Sequence, residues 1–285
     1  MRKHLSLILL AFFLPFICRG EQTDTISSAD PIRPLNSFYY FEIGSASDFN
    51  TYLSPVRYSG THLGIGGTWS RAMAFNPERF IMDFDASISM DMSHNRPNTS
   101  SMSGFDLSLS WDMLYRLSPI RNLQIGAGAG LELDAGALYL PRNSNNPVAA
   151  RFSLDVTLNL RADYTLNLGR LPIVFTDRLS IPSLGVFFSP QYGQSYYEIY
   201  LGDHSGLAHC GWWGNHFALT NTLMAQIPIC NIRLAAGYQT QCRSSYVNKI
   251  NTRLISNSFM LGIATDWINV TRNHNDVSRK IISVY

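Results

Sequence analysis

The chain has 285 residues, of which 22 are Lys or Arg and 20 are Asp or Glu, so its formal net charge is +2. Without residues 1–20 it keeps 19 basic against 20 acidic side chains. Such a balance lacks the basic face that phosphate contacts require, so we do not expect nucleic acid as a partner. No segment after residue 20 has the run of about 20 apolar residues that a transmembrane helix needs.

The first 20 residues have the pattern of a secretory signal. Met1–His4 is basic, Leu5–Ile17 is apolar, and Cys18–Gly20 offers small residues for a signal peptidase. We predict cleavage after Gly20. Lipid attachment at Cys18 stays open as an alternative. The predicted organisation is a signal peptide at 1–20, a periplasmic segment at 21–36, a β-barrel at 37–268 and a tail at 269–285.

Strict alternation of apolar and polar residues dominates the rest of the chain. In Phe80–Met92, for example, apolar side chains occupy every even position, and Asp83 and Asp85 lie among the odd ones. The same alternation recurs in 105–117, 123–134 and 152–167. Because successive strand residues point to opposite faces, each segment has one apolar face and one polar face.

The length of these segments separates a soluble sandwich from a membrane barrel. Soluble strands usually run ~3–10 residues, whereas these alternate for longer. A closed barrel can turn the apolar face to lipid and the polar face to its lumen. We therefore predict an all-β, antiparallel, transmembrane up-and-down barrel of about ten strands, with eight to twelve open. The predicted strands lie near 37–47, 61–74, 79–92, 103–117, 122–139, 148–168, 171–188, 215–228, 231–243 and 252–268.

The connections alternate between short turns and long polar loops, which is typical of outer-membrane barrels. The predicted loops are 48–60, 93–103, 140–147, about 189–214, and 244–251. The alternation places the short turns and both chain ends at the periplasmic side. We therefore expect the outer membrane of a Gram-negative cell, with membrane lipid and lipopolysaccharide as partners. Tyr285 fits the terminal aromatic of a barrel assembly signal, and a periplasmic tail is the alternative.

Four segments resemble a family of uncharacterised secreted barrel-like proteins from Gram-negative envelopes. They are Tyr52–Gly60 (YLSPVRYSG), Phe187–Gly193 (FFSPQYG), Tyr196–Tyr200 (YYEIY) and Gly202–Gly206 (GDHSG). The resemblance extends over nearly all of the chain after residue 20. It implies the fold and the location, and it implies no activity.

The segment 189–214 is the strongest candidate for a ligand site, because long external loops of barrels often carry function. One hypothesis is a platform whose aromatic faces stack on sugar or lipid. The other is an interfacial aromatic girdle together with a loop that folds into the lumen. The candidate ligand-binding residues are Tyr196, Tyr197, Tyr200, Trp212 and Trp213.

A hydrolytic site is a further hypothesis. Some ten-stranded outer-membrane proteases oppose an Asp pair to an Asp/His pair, and Asp83, Asp85, Asp203 and His204 would be the corresponding candidates. Asp203 and His204 are adjacent, however, and adjacent strand residues point to opposite faces. Asp83 and Asp85 also have lumen arginines available for ion pairs. These arginines are Arg116, Arg151, Arg161, Arg178 and Arg233.

A lipid hydrolase would need Ser and His on the lipid-facing wall. Its candidates are Ser205 beside His204, and His216 near Thr220. The spacing of the histidines with Cys210 fits no tetrahedral zinc site, so we expect no metal and no cofactor. Cys210 and Cys242 could form a disulfide in an oxidising compartment, although the three cysteines after residue 20 are an odd number.

Three functions therefore remain open at this point. The first is a structural or surface interaction barrel with a largely filled lumen, because barrels near eight strands are filled by side chains. The second is a narrow channel or transporter, and the third is a hydrolase acting on lipid or peptide. The sequence favours the first and gives no ligand, protein partner or oligomeric state.

Overall fold

The computed structural model describes residues 31–144, 146–169, 171–229, 232–267 and 281–284. From Ile32 onward these residues belong to one compact unit. The predicted signal peptide, its cleavage site, Cys18, Cys230 and Tyr285 lie outside the described residues. Throughout the described ranges, no helix has the length and apolar character that crossing a bilayer requires.

Strands make up most of the fold, because alternating side chains suit a sheet with two different faces. The one helix within the described residues is α1, which spans Tyr196–Tyr200. The strands are β1 (Leu35–Asn50), β2 (Ser54–Ala72), β3 (Phe80–Asn95), β4 (Ser101–Ile120), β5 (Leu123–Tyr139), β6 (Val148–Leu168), β7 (Leu171–Phe188), β8 (Ala208–Trp212), β9 (His216–Ile229), β10 (Ile232–Val247) and β11 (Ile250–Trp267).

Ten of these strands close into an antiparallel barrel, as predicted. Each strand from β1 to β7 pairs with the next, β9 pairs with β7 and β10, and β11 joins β10 to β1. Val174–Ser180 of β7 pairs with β9, whereas Leu184–Phe188 pairs with β8. Short β8 therefore runs in the direction of β9, and the segment 213–215 separates the two.

The barrel has two unlike ends. We call the end with turns 51–53, 96–100, 140–147 and 248–249 and with the segment 189–207 the loop end. We call the other end, where β1 starts and β11 finishes, the terminal end. The predicted loops 48–60 and 244–251 were too long, because the flanking strands continue as far as Asn50, Ser54, Val247 and Ile250. Toward the loop end the outward face becomes polar, as at Arg57, Ser59 and Ser244, so the alternation no longer marks the strands.

The two faces of the wall differ as the alternation predicts. Odd residues of β3, such as Asp83, point into the lumen, and even residues such as Ile88 and Met90 are exposed on the outside. Exposed Phe41, Ile65 and many other large apolar residues continue this outer surface around the barrel.

Candidate functional site

A network of paired charges lies in the middle of the lumen. Asp83 is fully buried, and both of its carboxylate oxygens accept hydrogen bonds from Arg161 Nη1 at 2.9 Å. Arg161 Nε also donates to Asp163 at 2.8 Å. Arg178 Nη1 donates to Asp85 at 2.8 Å, and its Nη2 lies 3.6 Å from Asp83. The carboxylates predicted to be catalytic are therefore held by arginines.

A second charged network lies nearer the loop end. Arg243 Nη2 donates to Asp134 at 2.7 Å and lies 3.9 Å from Glu132. His62, which is buried, lies between two acids, with Nδ1 2.6 Å from Asp91 and Nε2 3.5 Å from Glu42. The Arg243 pairs connect β10 to β5 across the lumen, whereas His62 of β2 joins the neighbouring strands β1 and β3.

Small cavities remain between the lumen side chains, two of them larger than the space of about 20 Å³ beside His62. One of about 100 Å³ lies in the middle of the lumen, where Tyr40, Asp85, Asp112 and Arg178 are among its lining residues. The other, of about 70 Å³, adjoins Arg151, Phe187 and His216. A water needs roughly 10–15 Å³ of such volume, so each cavity has room for a few waters.

Apolar clusters lie at both ends of the lumen. At the loop end the cluster consists of Leu53, Tyr58, Met102, Leu138, Leu140, Ala149 and Leu254. At the terminal end, Val284 packs on Ile81 and Leu114, and Arg116 Nη1 donates to the carbonyl of Ser283 at 2.7 Å. The predicted periplasmic tail therefore returns, over residues 281–284, to the end of the barrel.

The segment 189–207, which we call the loop extension, is fixed to the loop end by hydrogen bonds. Tyr52 Oη donates to the carbonyl of Gln194 at 2.6 Å, and the Ala150 amide donates to Tyr196 Oη at 2.6 Å. The rings of Tyr52 and Tyr196 meet edge to face at 6.0 Å. Burial, followed by the neighbouring Tyr196 and Glu198, raises the pKa of Tyr52 to about 12.

Further contacts shape the loop extension itself. Ser195 and Glu198 form a capping box that starts α1. Asn248 Nδ2, from the turn after β10, lies within hydrogen-bond distance of the carbonyls of Ser189, Pro190 and Gly206 at 3.2–3.4 Å. The loop extension lies over the loop end in a defined conformation.

The five aromatic candidates divide into three groups. Tyr196 faces the barrel and anchors α1. Tyr197 and Tyr200 are 68% and 84% exposed on the other side of α1. Trp212 lies on β8 opposite Leu184 on the outer wall, and Trp213 Nε1 donates to the Pro182 carbonyl at 2.6 Å. The exposed Tyr197 and Tyr200 thus suit a platform, and the two tryptophans suit a girdle.

The other catalytic candidates do not meet the aspartates of β3. Asp203, His204 and Ser205 are exposed in the loop extension, and Ser205 Oγ donates to Asp203 at 3.0 Å. Asp83 and Asp85 line the middle cavity instead. The structure therefore does not assemble the two pairs of a protease site.

A lipid hydrolase would need His216 and Thr220 on the outer wall, and their placement there was wrong. Thr220 lines the middle cavity, and His216 Nε2 lies 3.2 Å from Asp155 with its ring stacked on Phe187 at 4.6 Å. Both side chains point inward because β9 continues the alternation. Among the residues that the structure describes, no cluster of His, Cys, Asp or Glu could hold a metal ion.

The disulfide considered for Cys210 and Cys242 is not formed, and both thiols are free. Cys210 lies on β8, which pairs with β7, whereas Cys242 lies on β10, so β9 separates them. Sequence reasoning also missed Tyr52, His62 and Asn248. The alternation signals the lumen position of His62, but nothing local signals the contacts of Tyr52 and Asn248 across the barrel.

Solved structures with a similar fold include the outer membrane protease OmpT from Escherichia coli (8% identity, TM-score 0.43, covering 86% of this chain and 99% of that chain). The transport unit of the autotransporter AIDA-I from Escherichia coli matches with 7% identity, TM-score 0.41, and 90% and 97% coverage. The translocator domain of NalP from Neisseria meningitidis matches with 9% identity, TM-score 0.39, and 92% and 96% coverage. At these identities the likeness concerns the fold alone.

The search of the curated proteins finds no match. A family described as "Protein of unknown function (DUF3316)" matches residues 5–274, which is nearly the whole chain. The chain belongs to this DUF3316 family.

Proposed function

We propose that this protein is a non-conducting outer-membrane barrel that binds a saccharide at the cell surface through its loop extension. The observation that carries the proposal is a contrast within one molecule. The lumen contains paired charges and has apolar clusters at its two ends, whereas Tyr197 and Tyr200 are exposed on a fixed helix.

The outer wall supports the membrane location. Large apolar residues are exposed on all ten barrel strands, such as Phe41, Met90, Leu158 and Phe259. Exposed apolar surface on this scale in water would cause association, whereas lipid covers it at no such cost. The loop end then faces outward, and the ligand we propose is the saccharide part of lipopolysaccharide.

The chemistry of the loop extension supports a saccharide in particular. Tyrosine supplies a rigid, amphipathic contact face at low entropic cost, and its hydroxyl can hydrogen-bond. Tyr192, Tyr197 and Tyr200 are all more than half exposed. Glu198 and Asp203 lie on the same segment as additional acceptors for sugar hydroxyls.

The location is tested first, with outer-membrane fractions run on a denaturing gel with and without boiling. A closed barrel that resists detergent migrates faster unboiled. A protein found only in the soluble periplasm, with no heat-dependent shift, would contradict the proposed location.

The binding is tested with purified protein and lipopolysaccharide-derived oligosaccharide on a biosensor. The variant Tyr197→Ser/Tyr200→Ser is expected to bind about tenfold more weakly, as expected for loss of aromatic hot-spot contacts. Tyr246→Ser is the matched control, because Tyr246 is a 62% exposed tyrosine outside the loop extension. Equal affinity of all three proteins would contradict the platform.

A further inference from the structure

The outer wall carries a polar stripe that neither the lumen nor the loop extension explains. It crosses six neighbouring strands, β7, β9, β10, β11, β1 and β2. Its members are Asp177, Asn221, Thr240, Asn257, Ser45 and Thr61. We call these six residues the polar stripe.

The members of the polar stripe are direct neighbours in the sheet. Asn221 is paired with Thr240, Thr240 with Asn257, Asn257 with Ser45, and Ser45 with Thr61. Asp177 joins at one end, where its Oδ1 accepts a hydrogen bond from Asn221 Nδ2 at 2.9 Å. The stripe is therefore one continuous surface feature.

Apolar rows flank the polar stripe on both sides across β9, β10 and β11. The row toward the terminal end is Leu223, Tyr238 and Phe259, and the row toward the loop end is Leu219, Cys242 and Ile255. The outward residues of β5, four strands from β10 around the barrel, contain no such interruption, being Leu, Ile, Ala and Tyr from Leu123 to Tyr139. The stripe interrupts one side of the apolar wall only.

Part of the hydrogen-bonding capacity of the polar stripe is unused. Asn257 Oδ1 accepts from Thr240 Oγ1 at 3.1 Å, and Asn221 Nδ2 donates to Asp177. Asn257 Nδ2 and Asn221 Oδ1 have no hydrogen-bond partner in the described part of the chain. Acyl chains offer neither donors nor acceptors, and unsatisfied polar groups in hydrocarbon are costly.

The charge of the polar stripe indicates what covers it. It contains Asp177 and no Lys or Arg, so a phosphate-bearing headgroup would be repelled. Its remaining members are amides and hydroxyls, which can both donate and accept hydrogen bonds with the same groups on a second copy of the chain. A twofold axis along the membrane normal at β10 would place β9 of one copy against β11 of the other. The free Asn221 Oδ1 and the free Asn257 Nδ2 of the second copy would then lie on the same interface, from opposite sides.

We propose that the β9–β11 wall is the interface of a homodimer within the membrane. The side chains of Asn221, Asn257 and Thr240 form the polar centre of this interface. Polar side chains hold other transmembrane segments together in the same way, through hydrogen bonds. Phe259, which is 66% exposed, and Tyr238 contact each other edge to face at 5.2 Å and supply apolar surface beside that centre.

Cys242 provides the test, because it lies on the outer wall directly beside Thr240 in the β10 alternation. With Cys210 and Cys230 replaced by serine, a short bifunctional thiol reagent added to isolated outer membranes is expected to give a species of two chains. The matched control replaces Cys242 by serine as well and adds Leu131→Cys, which places the thiol on β5. This control is expected to stay uncrosslinked.

The double substitution Asn221→Leu/Asn257→Leu tests the polar stripe itself. It is expected to lower Cys242 crosslinking by about fivefold, because hydrogen bonds between transmembrane segments are individually modest. Thr240→Ser, which keeps the hydroxyl, is expected to crosslink as the parent does. The leucine variant should keep its heat-dependent gel shift and sediment in detergent as one chain, whereas the parent sediments as two. Failure of Cys242 to crosslink, equal crosslinking of the leucine variant or the β5 control, or a product of another mass would overturn the proposal.

Discussion

The lumen and the loop extension differ in whether their functional groups are paired within the protein or left exposed. In the lumen, Asp83 and Arg161 are buried against each other with half-buried Arg178 beside them, so their charges are compensated inside the barrel. In the loop extension, Tyr52 and Tyr196 hold the backbone while Tyr197 and Tyr200 are exposed. The difference indicates that the interior stabilises the fold and that the capacity for binding lies outside it.

The largest effect is expected inside the lumen. Arg161→Met removes the partner of Asp83 and Asp163 and leaves buried carboxylates without it. Breaking a buried ion pair in this way costs ~3–5 kcal/mol. The free energy of unfolding, measured by urea titration in detergent or lipid, should fall by that amount. The additional substitution Asp83→Asn should restore part of the loss, and an additive further loss would contradict the network.

A smaller effect is expected at the terminal end. Arg116→Gln removes the guanidinium that donates to the carbonyls of Ser283, Pro77 and Glu78. Hydrogen bonds from charged groups contribute ~1.5–3 kcal/mol, so the segment 281–284 should detach more readily. Limited proteolysis should cut this segment faster than in the parent. Unchanged cleavage would mean that Arg116 does not retain the tail.

A local effect of about 1 kcal/mol is expected at the base of the loop extension, the typical net value of one hydrogen bond. Tyr52→Phe removes only the hydroxyl that donates to the Gln194 carbonyl at 2.6 Å. Amide hydrogen exchange should accelerate within 189–207 and stay unchanged in β3 and β4. Tyr246→Phe, which changes an exposed tyrosine, serves as control. Equal exchange in the two variants would contradict the anchoring role.

The smallest effect on stability is expected on the exposed side of α1. Tyr200→Ser changes a side chain that is 84% exposed, and surface substitutions usually stay within about ±0.5 kcal/mol. Unfolding in urea should therefore match that of the parent, while saccharide binding weakens. A clear loss of stability would assign Tyr200 to the fold instead.

The alternation predicted most of the barrel, because period-two patterning is a local property of each strand. It placed Asp83 and Asp85 in the lumen and gave the ten barrel strands. It gave five lumen arginines as possible partners of these carboxylates but could not single out Arg161 and Arg178, since they lie on the distant strands β6 and β7. Which wall residues meet depends on the stagger of the closed sheet and on the register shift between Val156 and Thr157, and neither appears in the local pattern.

The loop extension was located by composition, but its parts could not be sorted from sequence. Tyr196 and Tyr197 are adjacent, and only the helical turn of α1 and the contact with Ala150 decide which one is anchored. Trp212 joined the outer wall because β8 pairs with Leu184–Phe188. The residues around Trp212 have the composition of a loop. Strand β8 has only five residues, which is too short for an apolar–polar alternation to be recognised.

The most direct test of the filled lumen is single-channel recording with heat-modifiable protein in a planar bilayer. A general porin of about 16–18 strands serves as the conducting reference. We predict that the parent inserts without conductance steps, because ion pairs and apolar clusters occupy the lumen. Reproducible steps from the folded parent would contradict the central claim and favour the narrow channel.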